Sequence, residues 1–316
     1  MKLFGLSVIL TGALVSPVVA CDLCAVYSAN EARAEEGKGF FGGVAEQFTH
    51  FGTTQLDGRE VPNPTGQYLN SSISQLFAGY NVNDRLGFQL NVPIIYRSFK
   101  RPVGFDVQYG TVSGLGDISL LGNLVPYRHV GDDFSFIWSV DGGLKLPSGS
   151  PSRIKEEFVE VEIPGAPPSG IHGHDLTLGT GSIDGIVGTS FSTRWKRLFL
   201  TASTQYAVRS EGSYEYKFAN DLTWWGGPGV TVLLNPKYTL AVQAVVSGET
   251  KGLDTFQGQS ADDTGVTSVY LGPQINFTWS DKLSAQAGVD VPMSIQNTSF
   301  QTVPNYRVRA GLTLRF

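Results

Sequence analysis

The sequence predicts an all-β protein: a single antiparallel transmembrane β-barrel of about 12 strands, preceded by a short N-terminal helical or irregular segment. Three observations carry this. Long segments alternate apolar and polar residues with a period of two, as a strand between two different surroundings requires. The breaks between them alternate between tight turns and long polar loops, the plan of an outer-membrane barrel. Charged residues make up only 16% of the chain, against 38 glycines and 11% aromatics, where a soluble domain carries about a quarter charged.

Residues 1–20, "MKLFGLSVILTGALVSPVVA", read as a secretory signal peptide, with Lys2 before an apolar run from Leu3 to Val15 and small residues Val18 and Ala20 at the exit. After Ala20 no apolar stretch approaches the roughly 18 residues of a spanning helix. Residues 21–37 form an expected periplasmic segment with a CxxC. Cys21 and Cys24 make "CDLC", which an oxidising compartment favours as a local disulfide. A redox pair, half a metal site, or a lipid-modified Cys21 after "VVA" are the other readings. Ala25 stands where a haem-attachment motif needs histidine, and Ala25–Gly37 is helix-prone. The formal charge is −5, with no long basic run, so nucleic acid is excluded as a partner.

The barrel is expected over 38–316. Its first two segments, 38–53 and 67–82, open it, although the alternation blurs near 40–50, where bulges or misjudged ends are expected. In 85–100, Leu86, Phe88, Leu90, Val92, Ile94 and Tyr96 oppose Gln89, Asn91 and Arg97. Segment 112–128 follows. In 133–147, Phe134, Phe136, Trp138, Val140, Leu144 and Leu146 oppose Ser135, Ser139, Asp141 and Lys145. Segment 175–191 is again blurred, and 197–210, 214–233 and 238–249 continue the pattern. In 265–279, Val269, Leu271, Ile275, Phe277 and Trp279 oppose Gln274, Asn276 and Thr278. Segment 283–297 alternates throughout, Leu283 to Ile295 against Ser284 to Gln296. The last, 305–316, sets Tyr306, Val308, Ala310, Leu312, Leu314 and Phe316 against Arg307, Arg309, Thr313 and Arg315.

The breaks after even-numbered segments are tight: "NVND", "RHVGDD", "STRWK", "NPK" and "SDK". Those after odd-numbered ones run as long as "SGSPSRIKEEFVEVEIPGAPPSGIHGH". An even strand count returns the chain to the periplasmic side, where Phe316 joins an aromatic girdle. A soluble sandwich would also alternate, but with shorter strands and a polar outer face. Lipid around the apolar face and a wet lumen on the other accommodate the three C-terminal arginines. Arg309, Gly311, Leu314 and Phe316 resemble the C-terminal signal read by the barrel assembly machinery.

The expected lumen charges are Asp117, Asp141, Lys145, Asp184, Arg209, Asp221, Asp290, Arg307, Arg309 and Arg315, a mixture of signs that suits weak ion selectivity or mutual pairing. Twelve strands about 4.8 Å apart and tilted by about 40° close a backbone cylinder of roughly 12 Å radius. Lumen-facing Pro93, Pro147 and Pro292 mark bulges or strand ends, since proline lacks a ladder donor. "HGHD" sets His172, His174 and Asp175 in the longest loop as candidate metal ligands, short of the third or fourth ligand and second shell a site needs. His50 is the only histidine within a predicted strand, and no serine lies within two residues of it. A surface hydrolase needs that partner, so no enzyme is expected.

"VSGLGDISLLGNLVPY", "DGGLKLPSGSPS" and "NVNDRLGFQLNVPIIYRSF" resemble recurring blocks of the outer-membrane family named for the MetA pathway of phenol degradation, carried by Gly114, Gly116, Asp117 and Leu146–Gly149. The resemblance implies passage of small solutes, hydrophobic or aromatic ones among them. The reading is therefore an outer-membrane channel for passive uptake, with no cofactor, in contact with outer-membrane lipid, the assembly machinery and its solute. The alternative is a non-conducting binding or structural barrel with a metal- or redox-linked CxxC.

Overall fold

The computed structural model describes residues 38–160, 163–280 and 282–316; the expected signal peptide and the CxxC segment with Cys21 and Cys24 lie outside the described residues. Twelve antiparallel strands close on themselves. They are β1 (Gly39–Leu56), β2 (Tyr68–Asn83), β3 (Leu86–Val103), β4 in two arms (Asp106–Leu115 and Ser119–Val130), β5 (Phe134–Lys145), β6 (Asp184–Trp195), β7 (Leu198–Val208), β8 (Asp221–Leu234), β9 (Tyr238–Lys251), β10 (Val266–Trp279), β11 (Leu283–Asn297) and β12 (Phe300–Arg315). Each pairs with the next, and β1 pairs with β12 from Phe41–Arg315 to Leu56–Phe300. Closure leaves no free edge around most of the wall, which a lipid-embedded sheet needs.

The faces follow the sequence pattern. On β12, Arg307, Arg309 and Thr313 are buried inside while Tyr306, Val308, Leu312, Leu314 and Phe316 are exposed outside. Apolar residues dominate the exposed outer wall, from Phe88, Leu90, Ile94 and Tyr96 on β3 to Val289, Val291 and Met293 on β11. That is the inversion of a soluble protein.

Several expected boundaries shift. Strand β1 runs to Leu56 and β12 begins at Phe300 rather than 305. Residues 214–217 do not start β8; they form a 3-10 turn and a two-residue strand that joins Asp254–Phe256 and Gln259–Ala261 in a small sheet at the long-loop end. Residues 175–183 precede β6, with 175–176 closing a short helix, α1 (Gly173–Leu176). The fourth strand is broken. Asn91 pairs with Ser119 but Ile94 pairs with Leu115, so three residues oppose two at Pro93. Proline offers no N–H there, and its carbonyl accepts instead from Gly116 N at 2.8 Å. Beyond the break the arm Asp106–Leu115 has a ladder partner on the β3 side alone, because β5 pairs with the lower arm.

Pro292 marks a second irregularity. Tyr270 pairs with Pro292 and Val269 with Ser294, leaving Met293 as the extra residue of a bulge. The bulge inverts the faces beyond it, so Asn297 turns in and Ser294 and Gln296 turn out, against the unbroken alternation expected for 283–297. The β11–β12 ladder ends at Asp290–Arg307. Higher up, Thr302 N donates to Gly170 O, 2.9 Å, in the loop between β5 and β6.

Candidate functional site

The barrel interior is the candidate site, and its two ends differ. At the long-loop end the β5–β6 loop folds inward as a plug, built from the 3-10 helix Ser152–Phe158 and α1. Its Ile171 and Leu176 pack on Leu69 and Phe99 of the wall, and Leu178 on Ile73 and Ile95. Each buried aliphatic side chain contributes roughly 1.5–3 kcal/mol to holding the plug. Gly170 passes so close to β12 that a Cβ would lie 2.6 Å from Thr302 N, so the contact admits no side chain.

Ion pairs complete the plug. Lys145 Nζ lies 2.5 Å from Asp117 Oδ2 and 3.0 Å from Asp184 Oδ2. Arg209 bridges Asp184 at 2.9 Å and Asp221 at 2.7 Å. Asp117, in the break of β4, also accepts from Gly149 N and Thr180 N of the plug's two roots, at 2.9 and 3.0 Å. Arg97 donates to Ser71 and to Thr177 O, and Arg101 to Glu156, Glu160 and Ile171 O. Across the barrel Arg309 pairs with Asp290 at 2.7 Å, Arg307 with Glu249, and Lys251 with Asp254 at 2.6 Å. Apart from the partly exposed Glu156 and Glu160, these groups sit in low dielectric, where a lone charge would cost several kcal/mol and pairing offsets that cost.

Of the ten charges expected inside, Asp117, Lys145, Asp184, Arg209, Asp221, Asp290, Arg307 and Arg309 are buried. Asp141 faces the wider half, where it accepts from Asn123 at 2.8 Å, and Arg315 lies near the short-turn end of the same face. Eight of these fall in two clusters, Asp117–Lys145–Asp184–Arg209–Asp221 and Asp290–Arg309 with Arg307. The partners Arg101, Glu249, Lys251 and Asp254 escaped the sequence reading because they lie at or beyond the expected strand ends. Of the assembly-signal positions, Arg309 points in and Leu314 and Phe316 point out.

The HGHD residues are part of the plug's own fastening. His172 and His174 stack at 5.7 Å with an interplanar angle of 7°. His172 Nδ1 meets Glu160 at 2.7 Å and its Nε2 meets Asp263 at 3.3 Å; His174 Nδ1 meets Glu157 at 3.0 Å and its Nε2 Asp175 at 3.5 Å. Burial disfavours the imidazolium at both, yet Glu160 and Asp263 raise the pKa of His172, and Asp175 and Glu157 raise that of His174 well above the usual value. Burial likewise raises Glu157, but His174 prevails and lowers it to about 2. Among the described residues no group of histidine, cysteine and carboxylate side chains is arranged to hold a metal ion. In the structure the weak metal candidates His172, His174 and Asp175 engage carboxylates and one another, as an ion-paired latch.

At the short-turn end the interior widens into a cavity of about 430 Å³. Amides line it, among them Asn81, Asn123, Gln205, Gln243, Gln274 and Asn276, with the indole of Trp225. Pro93 and Pro292 sit at the two bulges and Pro147 just past β5, as proline chemistry requires. His50 faces outward and pairs with Asn70 Oδ1 at 2.7 Å.

No protein-family model matches the chain, and no curated protein matches it. Among solved structures the chain is similar to the COG4313 outer membrane channel from Pseudomonas putida F1, at 16% identity and a TM-score of 0.64 over 90% of this chain and 98% of that one. It is also similar to the translocator domain of the autotransporter NalP from Neisseria meningitidis, at 14% identity and a TM-score of 0.42 over 92% of each chain. A Pseudomonas aeruginosa FadL homologue gives 12% identity and a TM-score of 0.37, over 88% of this chain and 90% of that one. The first likeness establishes the barrel fold.

Proposed function

We propose that the protein is an outer-membrane channel for passive entry of small solutes, with the short-turn end and the N-terminus in the periplasm. One observation carries this reading: the interior holds an amide-lined vestibule of about 430 Å³ at one end, closed at the other by a folded loop that is not part of the wall. A loop fastened by side chains and isolated backbone hydrogen bonds such as Thr302 N to Gly170 O can leave without unmaking the ladder. The outer membrane channel from Pseudomonas putida F1, which shares this fold, supports the same reading. So does the resemblance to the family named for the MetA pathway, which extends it to hydrophobic or aromatic solutes. The singly paired arm Asp106–Leu115 is consistent with an oily solute, since it puts a weak seam beside the plug.

Single-channel conductance of the refolded mature protein in a planar bilayer tests the proposal. Stable steps are expected, and Asp290→Asn and Arg309→Gln are expected to shift the reversal potential in a salt gradient by unmasking one charge of a buried pair. Silence under all conditions, with the barrel intact, would favour a binding or structural barrel.

A further inference from the structure

Among the described residues seven lysines and arginines are buried, and six of them, from Arg101 to Arg309, meet a carboxylate. Arg97 on β3 is the exception. It is 1% exposed, and its guanidinium reaches only neutral oxygens: Nε donates to Ser71 Oγ at 3.3 Å and Nη1 to Thr177 O at 2.5 Å. A guanidinium carries five N–H donors, so Nη2 is left without an acceptor among the described residues. A buried charge with no counter-charge costs several kcal/mol.

Arg97 lines a cavity of about 60 Å³ between the plug and the wall, with Gly170 and Ile171 on the plug side. Every other charge on the lining already has a partner. Glu249 accepts from Arg307, and Lys251 is held by Asp254 at 2.6 Å. Asp175 meets His174 at 3.5 Å, and Asp263 meets His172 at 3.3 Å. Thr302 adds a buried hydroxyl that has no hydrogen-bond partner among the described residues. Much of the remaining surface is hydrocarbon, from Leu69 and Ile171 to Val303 and Pro304.

We propose that this cavity binds one small monocarboxylate, the size of formate or acetate, on the Arg97 guanidinium, and that the bound anion holds the plug shut. Space of this size takes about four water molecules or one anion of a few heavy atoms. Water fills it without bringing charge. A cation would meet Arg97, Lys251 and Arg307, and a doubly charged anion would meet Glu249, Asp175 and Asp263, so a single negative charge is what the lining balances. The planar fork of a guanidinium matches the two oxygens of a carboxylate better than it matches a spherical halide, and the aliphatic lining receives the alkyl end. Arg97 also grips the plug at Thr177 O, and Gly170 of the plug is hydrogen-bonded to Thr302 N at 2.9 Å. An anion between these groups touches plug and wall together, so its binding favours the plugged arrangement.

Thermal unfolding of the detergent-solubilised mature protein tests this at constant ionic strength, with sodium gluconate, too large for the cavity, replaced stepwise by sodium acetate or sodium chloride. Wild type is expected to gain about 4 °C in Tm with acetate and then to saturate, and to show no saturating gain with chloride. Arg97→Met is expected to be flat in acetate and, in gluconate alone, to melt at or above wild type, since the apolar side chain removes the unpaired charge. A wild-type response to acetate that never saturates would overturn the proposal, and an equal saturating response to chloride would overturn the carboxylate assignment; neither comparison needs a variant to fold. An undiminished acetate response in folded Arg97→Met would overturn the site at Arg97. Current plays no part in these readouts. A silent barrel that saturates with acetate would defeat the channel reading alone, and a conducting barrel that does not saturate would defeat the anion site alone.

Discussion

The two halves of the barrel interior are made of different chemistry. The long-loop half is packed with paired charges and aliphatic contacts, from Lys145 with Asp117 and Asp184 to Ile171 and Leu176 on Phe99. The short-turn half is lined mainly by amides and hydroxyls around open space, with Asp84, Arg85, Asp141 and Arg194 among them. Charge pairs are directional and close-packed contacts leave no room, so the first half resists passage. Amides exchange hydrogen bonds with a moving solute at little cost, so the second half tolerates it. On the channel reading proposed above, the contrast puts the resistance to flow in the plug, and removing the plug is the strongest way to break it. Replacing residues 150–178 by a short Gly-Ser linker is expected to raise single-channel conductance by on the order of tenfold, because the vestibule is then in series with open lumen. An unchanged conductance would place the resistance in the other half.

The next largest effect concerns what anchors the plug's roots. Lys145 holds Asp117, Asp184, Thr180 Oγ1 and Ser182 O together from the end of β5. Lys145→Met would leave Asp117 buried without its cation. Breaking one side of a buried pair costs about 3–5 kcal/mol, and the expected result is a lower urea midpoint, with frequent brief openings. A substitution of the same kind in the vestibule, Gln243→Leu, is expected to leave the midpoint within the error of measurement, which would sharpen the contrast between halves.

The alternation of side chains made the wall legible in the sequence, because lipid and lumen impose opposite demands at successive residues. It failed where that logic is broken locally. Pro93 with Gly116, and Pro292 with Met293, each shift the register by one residue, and no period survives a bulge. The blurred stretch near 40–50 has a different cause: β1 is regular up to His50, but Glu46 and His50 face outward, so polar residues occupy both faces. The plug was illegible because its fold depends on distant wall residues. Its trace was Ile154 and Ile171, aliphatic residues inside a loop that composition marked as polar, and Leu176 and Leu178 in the blurred start of segment 175–191; all four are buried. The ion-pair network was half visible. The alternation gave the inward side of eight of the buried charges but not of Arg101, Glu249, Lys251 and Asp254, and which charges meet depends on how far each strand extends.

The smallest expected effect separates the halves by pH. His172 faces Glu160, Asp263 and His174; His174 faces Glu157, Asp175 and, stacked at 6.0 Å, Tyr216. Burial raises Tyr216 well above its ordinary pKa, with Asp254 adding to the shift, so it stays neutral. Both histidine pKa values are raised in the latched plug. Protonated imidazole therefore adds stability that is fully present below the ordinary histidine range and is lost as pH rises through the raised values. Glu157 works in the opposite sense: its contribution is present above the ordinary carboxylate range and is lost only as pH falls toward about 2. Between pH 6 and the alkaline limit of the bilayer assay the histidines alone release. The open fraction is expected to rise severalfold over that span in wild type and to stay flat in His172→Gln with His174→Gln. No histidine lines the vestibule, so conductance of the fully open state should not change with pH over that span. A rise in open-state conductance with pH, at constant open fraction, would move the titrating element into the vestibule and dissolve the distinction between the two halves.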